Sequence, residues 1–311
     1  MLEYNHCINT IEDFKDFIIA VYTIIDDIYK EIIPKHIKNR RNKSKSLISD
    51  SEIITISIIG ELLTIDSENA WYNFCRRNFN DLFPKLCDRS RFNRIRRGLH
   101  AVIDAIRKEI SRITALPKQL YRIIDSIPIP VCKSGRAKFH KTFHGYGATY
   151  GKCPSKKETY LGYKLHLVVT LEGLVTDYIL TSANMDDREA TWDLPDIFIH
   201  HTFFGDKGYT GTDFVSALRT EKGITMLPLK KDNDKIQFPK GLRQYIFKKR
   251  RRVETSASQL TEQLNIGAVR AKSFWGLITR INTKILAYNL CRYINKLLGN
   301  MHLSKIKGLI F

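Results

Sequence analysis

Three carboxylates stand out by their surroundings. Asp125 is the one acid in the apolar run "RIIDSIPIPV" (residues 122–131), Asp206 ends a short apolar segment at the turn "FFGDKGYTG", and Glu254 follows the cationic run "KKRRR" almost directly. A buried carboxylate is costly unless something pairs with it. Acids from separate elements can offset that cost by sharing cations. Two divalent ions about 3.5–4 Å apart stabilise the attacking and leaving oxygens of a phosphodiester. Mg²⁺ takes one or two protein carboxylates per ion and fills its shell with water and phosphate oxygens. The chemistry within reach of Asp125, Asp206 and Glu254 is therefore phosphodiester cleavage and transfer.

Each acid also has a plainer explanation. Asp125 can be a core acid paired with Lys164. Asp206 can be a turn residue, since Asp and Gly favour turns. Glu254 can pair with Arg250 or Arg251 one helical turn earlier. Asp186 and Asp187 in "NMDDREA" are rival acids at a helix start, where N-capping accounts for them. Glu262 rivals Glu254 as a third ligand. His140, His144 and His166 are not spaced as ligands on one element; His166 alternates with apolar residues as a strand residue does. Trp275, beside Phe274, reads as core, and Tyr209 as packing with DNA contact as the alternative. Only the joint order of the three acids, on the elements that carry them, raises the metal reading above these.

Those elements change character at Tyr121. Before it, apolar residues recur at helical spacing over residues 11–33, with Pro34 as a stop. Ser49 and Glu52 fit a capping box, Asp66 or Ser67 can cap the next helix, and a third runs from near Ser90 to before Pro117. The segment "PKHIKNRRNKSK" is an exposed basic loop or a phosphate-contacting arm. Arg91, Arg94, Arg96 and Arg97 give the third helix a basic start, which suits a helix-turn-helix-like DNA-binding module. After Tyr121 the order is strand, hairpin, helix, strand, helix, strand, helix. This predicts an α/β domain with a mixed five-stranded sheet flanked by helices. Past Asp125, Pro128 and Pro130 lack ladder donors, so regular pairing is expected to fade there. The Gly-rich stretch over residues 132–160 reads as one long loop.

Composition bounds the partners. Lys and Arg number 51 against 32 Asp and Glu, a formal charge of +19 over 311 residues. Such an excess calls for a polyanion, with nucleic acid ahead of an anionic membrane surface. No run of about eighteen uncharged apolar residues indicates a membrane span, and the acidic, apolar N-terminus lacks the features of a secretory signal. The six cysteines form no C-x-x-C pair and read as reduced thiols in a cytoplasm.

With these residues in view, the chain resembles bacterial insertion-sequence transposases of the DDE type, most closely the insertion-sequence 982 family. The stretches that carry the likeness include "IIDSIPIPVCK", "YLGYKLHLVVT", "GDKGYTG", "RRRVETSASQL" and "KSFWGLITRINTKILAYNLCRY". The resemblance implies a ribonuclease-H-like catalytic domain whose acids are Asp125, Asp206 and Glu254, holding two Mg²⁺, with Mn²⁺ as a substitute. It implies cleavage at terminal inverted repeats and joining of 3′-OH ends to target DNA, by a homodimer on double-stranded DNA. Residues 1–116 would form the helical DNA-binding region, 117–299 the catalytic domain with the C-terminal helices, and 300–311 a tail. Arg250, Arg251, Arg252, Lys207 and Tyr209 are candidate DNA or phosphate contacts beside the acids. Lys272 lies too far past Glu254 for the lysine that related families carry on that helix. A non-catalytic DNA-binding protein of this fold and a nuclease of this fold are the alternatives.

Overall fold

The computed structural model describes residue 6 and residues 11–41, 43, 46–116, 119–139, 141–153, 157–230, 234 and 237–310. Cys7 and His140 lie outside the described residues. Contacts divide the chain into two units, Met1–Thr114 with Glu262–Phe311, and Ala115–Thr261. The sequence grouping of 117–299 differs from this division, because residues 262–299 pack with the N-terminal helices.

The first unit is helical. Its N-terminal part is α1 (Phe14–Ile32), α2 (Lys35–Lys38), α3 (Asp50–Leu62), α4 (Glu68–Asn78), α5 (Arg89–Gly98) and α6 (His100–Thr114). Ser49 caps α3 in a complete capping box, its hydroxyl accepting from Glu52 N while Ser49 N donates to the Glu52 carboxylate. Ser67 caps α4. The single helix expected from Ser90 onward is two, broken at Leu99, whose φ of −91° and ψ of 9° leave the helical range just after Gly98. The basic segment before α3 is partly committed to the fold. Arg40 and Lys43 pair with the buried Asp50, at 2.5 Å and 2.9 Å.

The second unit carries the sheet. Its strands are β1 (Tyr121–Lys133), β2 (Thr149–Cys153), β3 (Glu158–Val169), β4 (Val175–Ser182), β5 (Thr202–Gly205) and β6 (Thr225–Pro228). The order is β2-β3-β1-β5-β6, with β4 also on β3. β2 pairs with the first half of β3 and β4 with the second, so two strands share one side of β3. The β1–β5 and β5–β6 pairs are parallel and the others antiparallel. This is a mixed sheet flanked by helices, consistent with a ribonuclease-H-like fold, with six strands rather than five. The added strand is β2, inside the stretch expected to be one long loop. Gly173, at φ +93°, turns β3 into β4.

Pairing does not fade past Asp125 on the β3 side, where β1 stays in register to Lys133 with one shift between Pro130 and Cys132. It stops on the β5 side, where the ladder ends at Ile123. With one side unpaired, the two prolines forfeit few ladder bonds.

The helices of this unit are α7 (Asp187–Ala190), α8 (Thr212–Lys222) and α9 (Lys240–Ser258). Ile124, Val168, Phe203, Tyr209 and Leu218 share one core cluster. α9 lies against β1, β3 and β5, burying Ile246, Arg250, Val253 and Ser256.

The chain then returns to the first unit through a π-helical turn, Gln259–Gln263, and α10 (Phe274–Leu297). α10 is buried almost all round and packs on α3, α5 and α6. No helix among the described residues is long and apolar enough to cross a membrane.

Candidate active site

Asp125 sits mid-β1, opposite Leu167 of β3. Alternation places it on the face that α9 covers, and there it meets Arg250, whose Nη2 lies 3.6 Å from Asp125 Oδ2. Lys164 cannot be its partner. It stands opposite Pro128 and so belongs to the even-numbered face of β1. Lys164 Nζ instead donates to Asp187 Oδ1 at 2.9 Å and to Met185 O at 2.8 Å. The one other hydrogen bond to the Asp125 carboxylate comes from Ser126 N, at 2.8 Å. Burial pushes the Asp125 carboxyl up to about 6; Arg250 opposes the rise, and Asp206 and Asp187 add to it.

Asp206 follows β5 directly and caps the tight turn Lys207–Tyr209, accepting from Gly208 N at 2.7 Å. Parallel pairing of β1 and β5 is what brings the Asp206 turn to the strand that holds Asp125. Gly208 is required here, since a Cβ would lie 2.9 Å from Asp206 Oδ1 and 3.4 Å from Asp187 Oδ2. The same numbers show that Asp187 flanks the Asp206 turn. Asp186 is the cap of α7, its carboxyl drawn down to about 2 by Arg188. Asp187 is the acid left over. Sequence reasoning assigned both to capping; the available signal was that one cap needs one acid and "DD" supplies two.

Glu254 is placed differently. It lies on the exposed side of α9, without a hydrogen bond or ion pair among the described residues. The α9 side chain turned to Asp125 is Arg250, which shares the buried stripe of Ile246 and Val253. Arg251, Arg252 and Lys207 are exposed, Arg251 lying 5.0 Å over the Phe247 ring. Glu262 is exposed in the π-helical turn, in the first unit.

Two buried polar atoms near the acids lack hydrogen-bond partners, Tyr209 Oη and His166 Nδ1. Tyr209 is fully buried, so DNA cannot reach it in this conformation. Burial, then Asp187, Asp125 and Asp206, hold its hydroxyl protonated. His166 is fully buried and pushed down to about 4 by burial against the pull of Asp187, so its ring is neutral near pH 7. Its Nε2 meets Thr181 Oγ1 at 3.0 Å. Among the described residues, no three His, Cys, Asp or Glu side chains are gathered closely enough to hold a metal between them. The donor set still fits a hard divalent cation. It offers carboxylate oxygens, and Asp125 is raised by acids that only one guanidinium opposes.

The helical unit carries a separate basic surface. Arg94 lines two clefts of about 570 Å³ each, one with Arg40, Arg41, Lys43 and Arg91, the other with Arg89, Arg97, Arg270 and Lys272. Arg94 and Arg97 are exposed. Arg96 is not available to a ligand: it is 5% exposed and ion-paired with Glu68. It falls on the inner side of α5 with Phe92. Trp275, expected in the core, is 51% exposed and packs on His100 at 4.9 Å. The cysteines at 75, 87, 132, 153 and 291 are free thiols.

Residues 117–274 match the family model described as "Transposase DDE domain", a span of just over half the chain that includes Asp125, Asp206 and Glu254. The chain belongs to the DDE transposase family. No curated protein and no solved structure matches it. The DDE domain thus embraces the whole sheet and α9, and its match reaches the first residue of α10.

Proposed function

We propose that the protein is a transposase of the insertion-sequence 982 type, which cuts DNA at terminal inverted repeats and joins the freed 3′-OH ends to target DNA. The observation that carries this reading is the under-neutralised Asp125. It sits inside the matched DDE region, raised to about 6 and charge-coupled to Asp206. Asp125, Asp206 and Glu254 would hold two Mg²⁺, or Mn²⁺ in their place. Bound there, the ions supply Lewis-acid stabilisation of the attacking and leaving oxygens.

The chain's own residues do the remaining work. Asp125 and Asp206 are fixed by strand ends, whereas Glu254 is free to turn inward from α9. Arg250 keeps the Asp125 carboxylate partly neutral and faces the same cleft. Exposed Arg251, Arg252 and Lys207 grip phosphates, a guanidinium being able to bind two oxygens at once. A hydroxyl released by hydrolysis is the nucleophile for joining, so no Ser or Tyr need form a covalent link to DNA. Residues 1–116 bind the inverted repeats, with Arg91, Arg94 and Arg97 contacting phosphates; 117–299 catalyse and 300–311 are a tail. The working form is a homodimer on DNA in the cytoplasm.

The test is a comparison of wild type with Asp125→Asn on inverted-repeat DNA in Mg²⁺. The variant is expected to bind and not to cut; a purified Asp125→Asn protein that still cuts would end the reading. A joining assay with pre-cut ends separates a transposase from a nuclease, which would cut and join nothing. The non-catalytic reading draws on the lack of contact between Glu254 and the other acids, and cutting by wild type that Glu254→Gln abolishes would dismiss it. Affinity should fall steeply as salt rises.

A further inference from the structure

One pocket beside these acids is built unlike the others. It measures about 420 Å³ and is lined by Lys207, Leu229, Lys230, Lys240, Arg243 and Phe247, with Gln244. That volume is in the range of small-ligand sites, about 300–1,000 Å³. Its walls are the Phe247 ring, Leu229 and the aliphatic stems of lysines, and its charged groups are all cationic. Phe247 is 50% exposed. Arg251 covers the ring at 5.0 Å without lining the pocket, so the ring itself forms the wall and the guanidinium backs it. An apolar slot with an aromatic wall and a cationic rim matches one chemistry: a flat heteroaromatic base attached to phosphates.

Its position fixes which nucleotide. Lys207 follows Asp206 directly. Phe247, Arg251 and Glu254 are spaced four and three residues apart on α9, so they lie along one helix face. Seven residues of helix span ~10.5 Å, which puts Phe247 a few nucleotides from a phosphate at Glu254. A base can enter such a slot only when unpaired and unstacked.

We propose that this pocket receives one unpaired base of the DNA strand being processed, stacked on Phe247 with its phosphates on Lys207, Lys240 and Arg243. The proposal rests on the transposase reading for the identity of the strand, and it concerns recognition rather than chemistry. Its consequence is a preference for ends that are already frayed or single-stranded close to the reacting phosphate.

The experiment uses the full chain in EDTA, so that nothing is cut. Two fluorescein-labelled probes are compared, a blunt duplex and the same duplex with a short 3′ thymidine tail carrying 2-aminopurine. Wild type should bind the tailed probe more tightly and quench 2-aminopurine. Phe247→Ala should lose about tenfold more affinity for the tailed probe than for the blunt one and leave the fluorophore unquenched. Phe247→Trp should restore both. Equal losses on the two probes, or no quenching by wild type, would overturn the proposal. Cleavage in Mg²⁺ is read separately. A protein that cuts but does not quench refutes the pocket alone, and one that quenches but never cuts refutes the transposase reading alone.

Discussion

The two units each bury acidic groups and treat them in opposite ways. In the helical unit Glu61 is 3% exposed, and Arg280 meets it through two bonds of 2.8 Å and 2.9 Å while Lys284 Nζ lies at 2.5 Å. Asp66 shares both cations, and Lys284 also donates to Leu264 O. Although burial pushes the other way, these partners bring the Glu61 carboxyl down to about 2. In the sheet unit Asp125 has one guanidinium at 3.6 Å and two neighbouring acids, and its carboxyl rises to about 6. A buried acid surrounded by cations is finished as a structural element. A buried acid among acids leaves room for positive charge that the chain does not supply.

The largest effect should come from breaking the finished network. Glu61→Gln would strand Arg280 and Lys284 in the core, and removing one partner of a buried pair costs about 3–5 kcal/mol. Denaturant titration should show that loss. In the sheet unit the same kind of change should do the reverse. A carboxyl raised from 3.8 to about 6 costs the ionised folded state ~3 kcal/mol, a figure that already includes the attraction to Arg250. Asp125→Asn should therefore stabilise the metal-free protein by up to that amount at neutral pH.

The pH dependence runs in opposite directions for the two acids. The Asp125 contribution is intact below its unfolded value of 3.8 and is lost as pH rises through about 6. That of Glu61 is intact above 4.5 and lost as pH falls toward about 2. Melts in chelator should find wild type and Asp125→Asn alike near pH 4 and diverging through pH 6. A gap that does not change with pH would remove the contrast.

Adding cation should close that gap from the other side. A ligand bound only by the folded state stabilises by about 2.7 kcal/mol at a hundred times its dissociation constant. Mg²⁺ or Mn²⁺ should raise the wild-type melting temperature and leave those of Asp125→Asn and Asp206→Asn unmoved. An equal rise in all three would place the cation elsewhere.

How much of this contrast is legible in the sequence depends on distance along the chain. The capping box at Ser49 and Glu52, and the hairpin through Gly173, are local and follow from spacing alone. Asp125 was legible because an acid in an apolar run conflicts with its surroundings. The Glu61–Arg280 bond joins residues 219 positions apart, and no local pattern announces it. Arg96 misleads for the same reason, because in sequence it looks like its exposed neighbour Arg97 and only the packing of α5 turns it inward. β2 was missed because its partner on β3 also pairs with β1, leaving a short strand within a Gly-rich stretch.

The smallest effect sharpens the contrast within one unit. Asp186 and Asp187 are adjacent, yet Asp186 serves the fold and Asp187 faces the site. Asp186 Oδ1 accepts from Arg188 N at 2.9 Å, and the Arg188 side chain clamps the same carboxylate. Loss of such a cap costs about 1 kcal/mol. Asp186→Ala should thus lower stability by that amount while leaving the Mg²⁺-induced rise in melting temperature intact. Asp187 pairs with Lys164 and contributes to the raised Asp125 carboxyl. Asp187→Asn should weaken that rise, because the charge that favours a cation at the neighbouring acids is diminished. If the two variants respond to Mg²⁺ alike, the division between the acid that caps and the acid that faces the site is wrong.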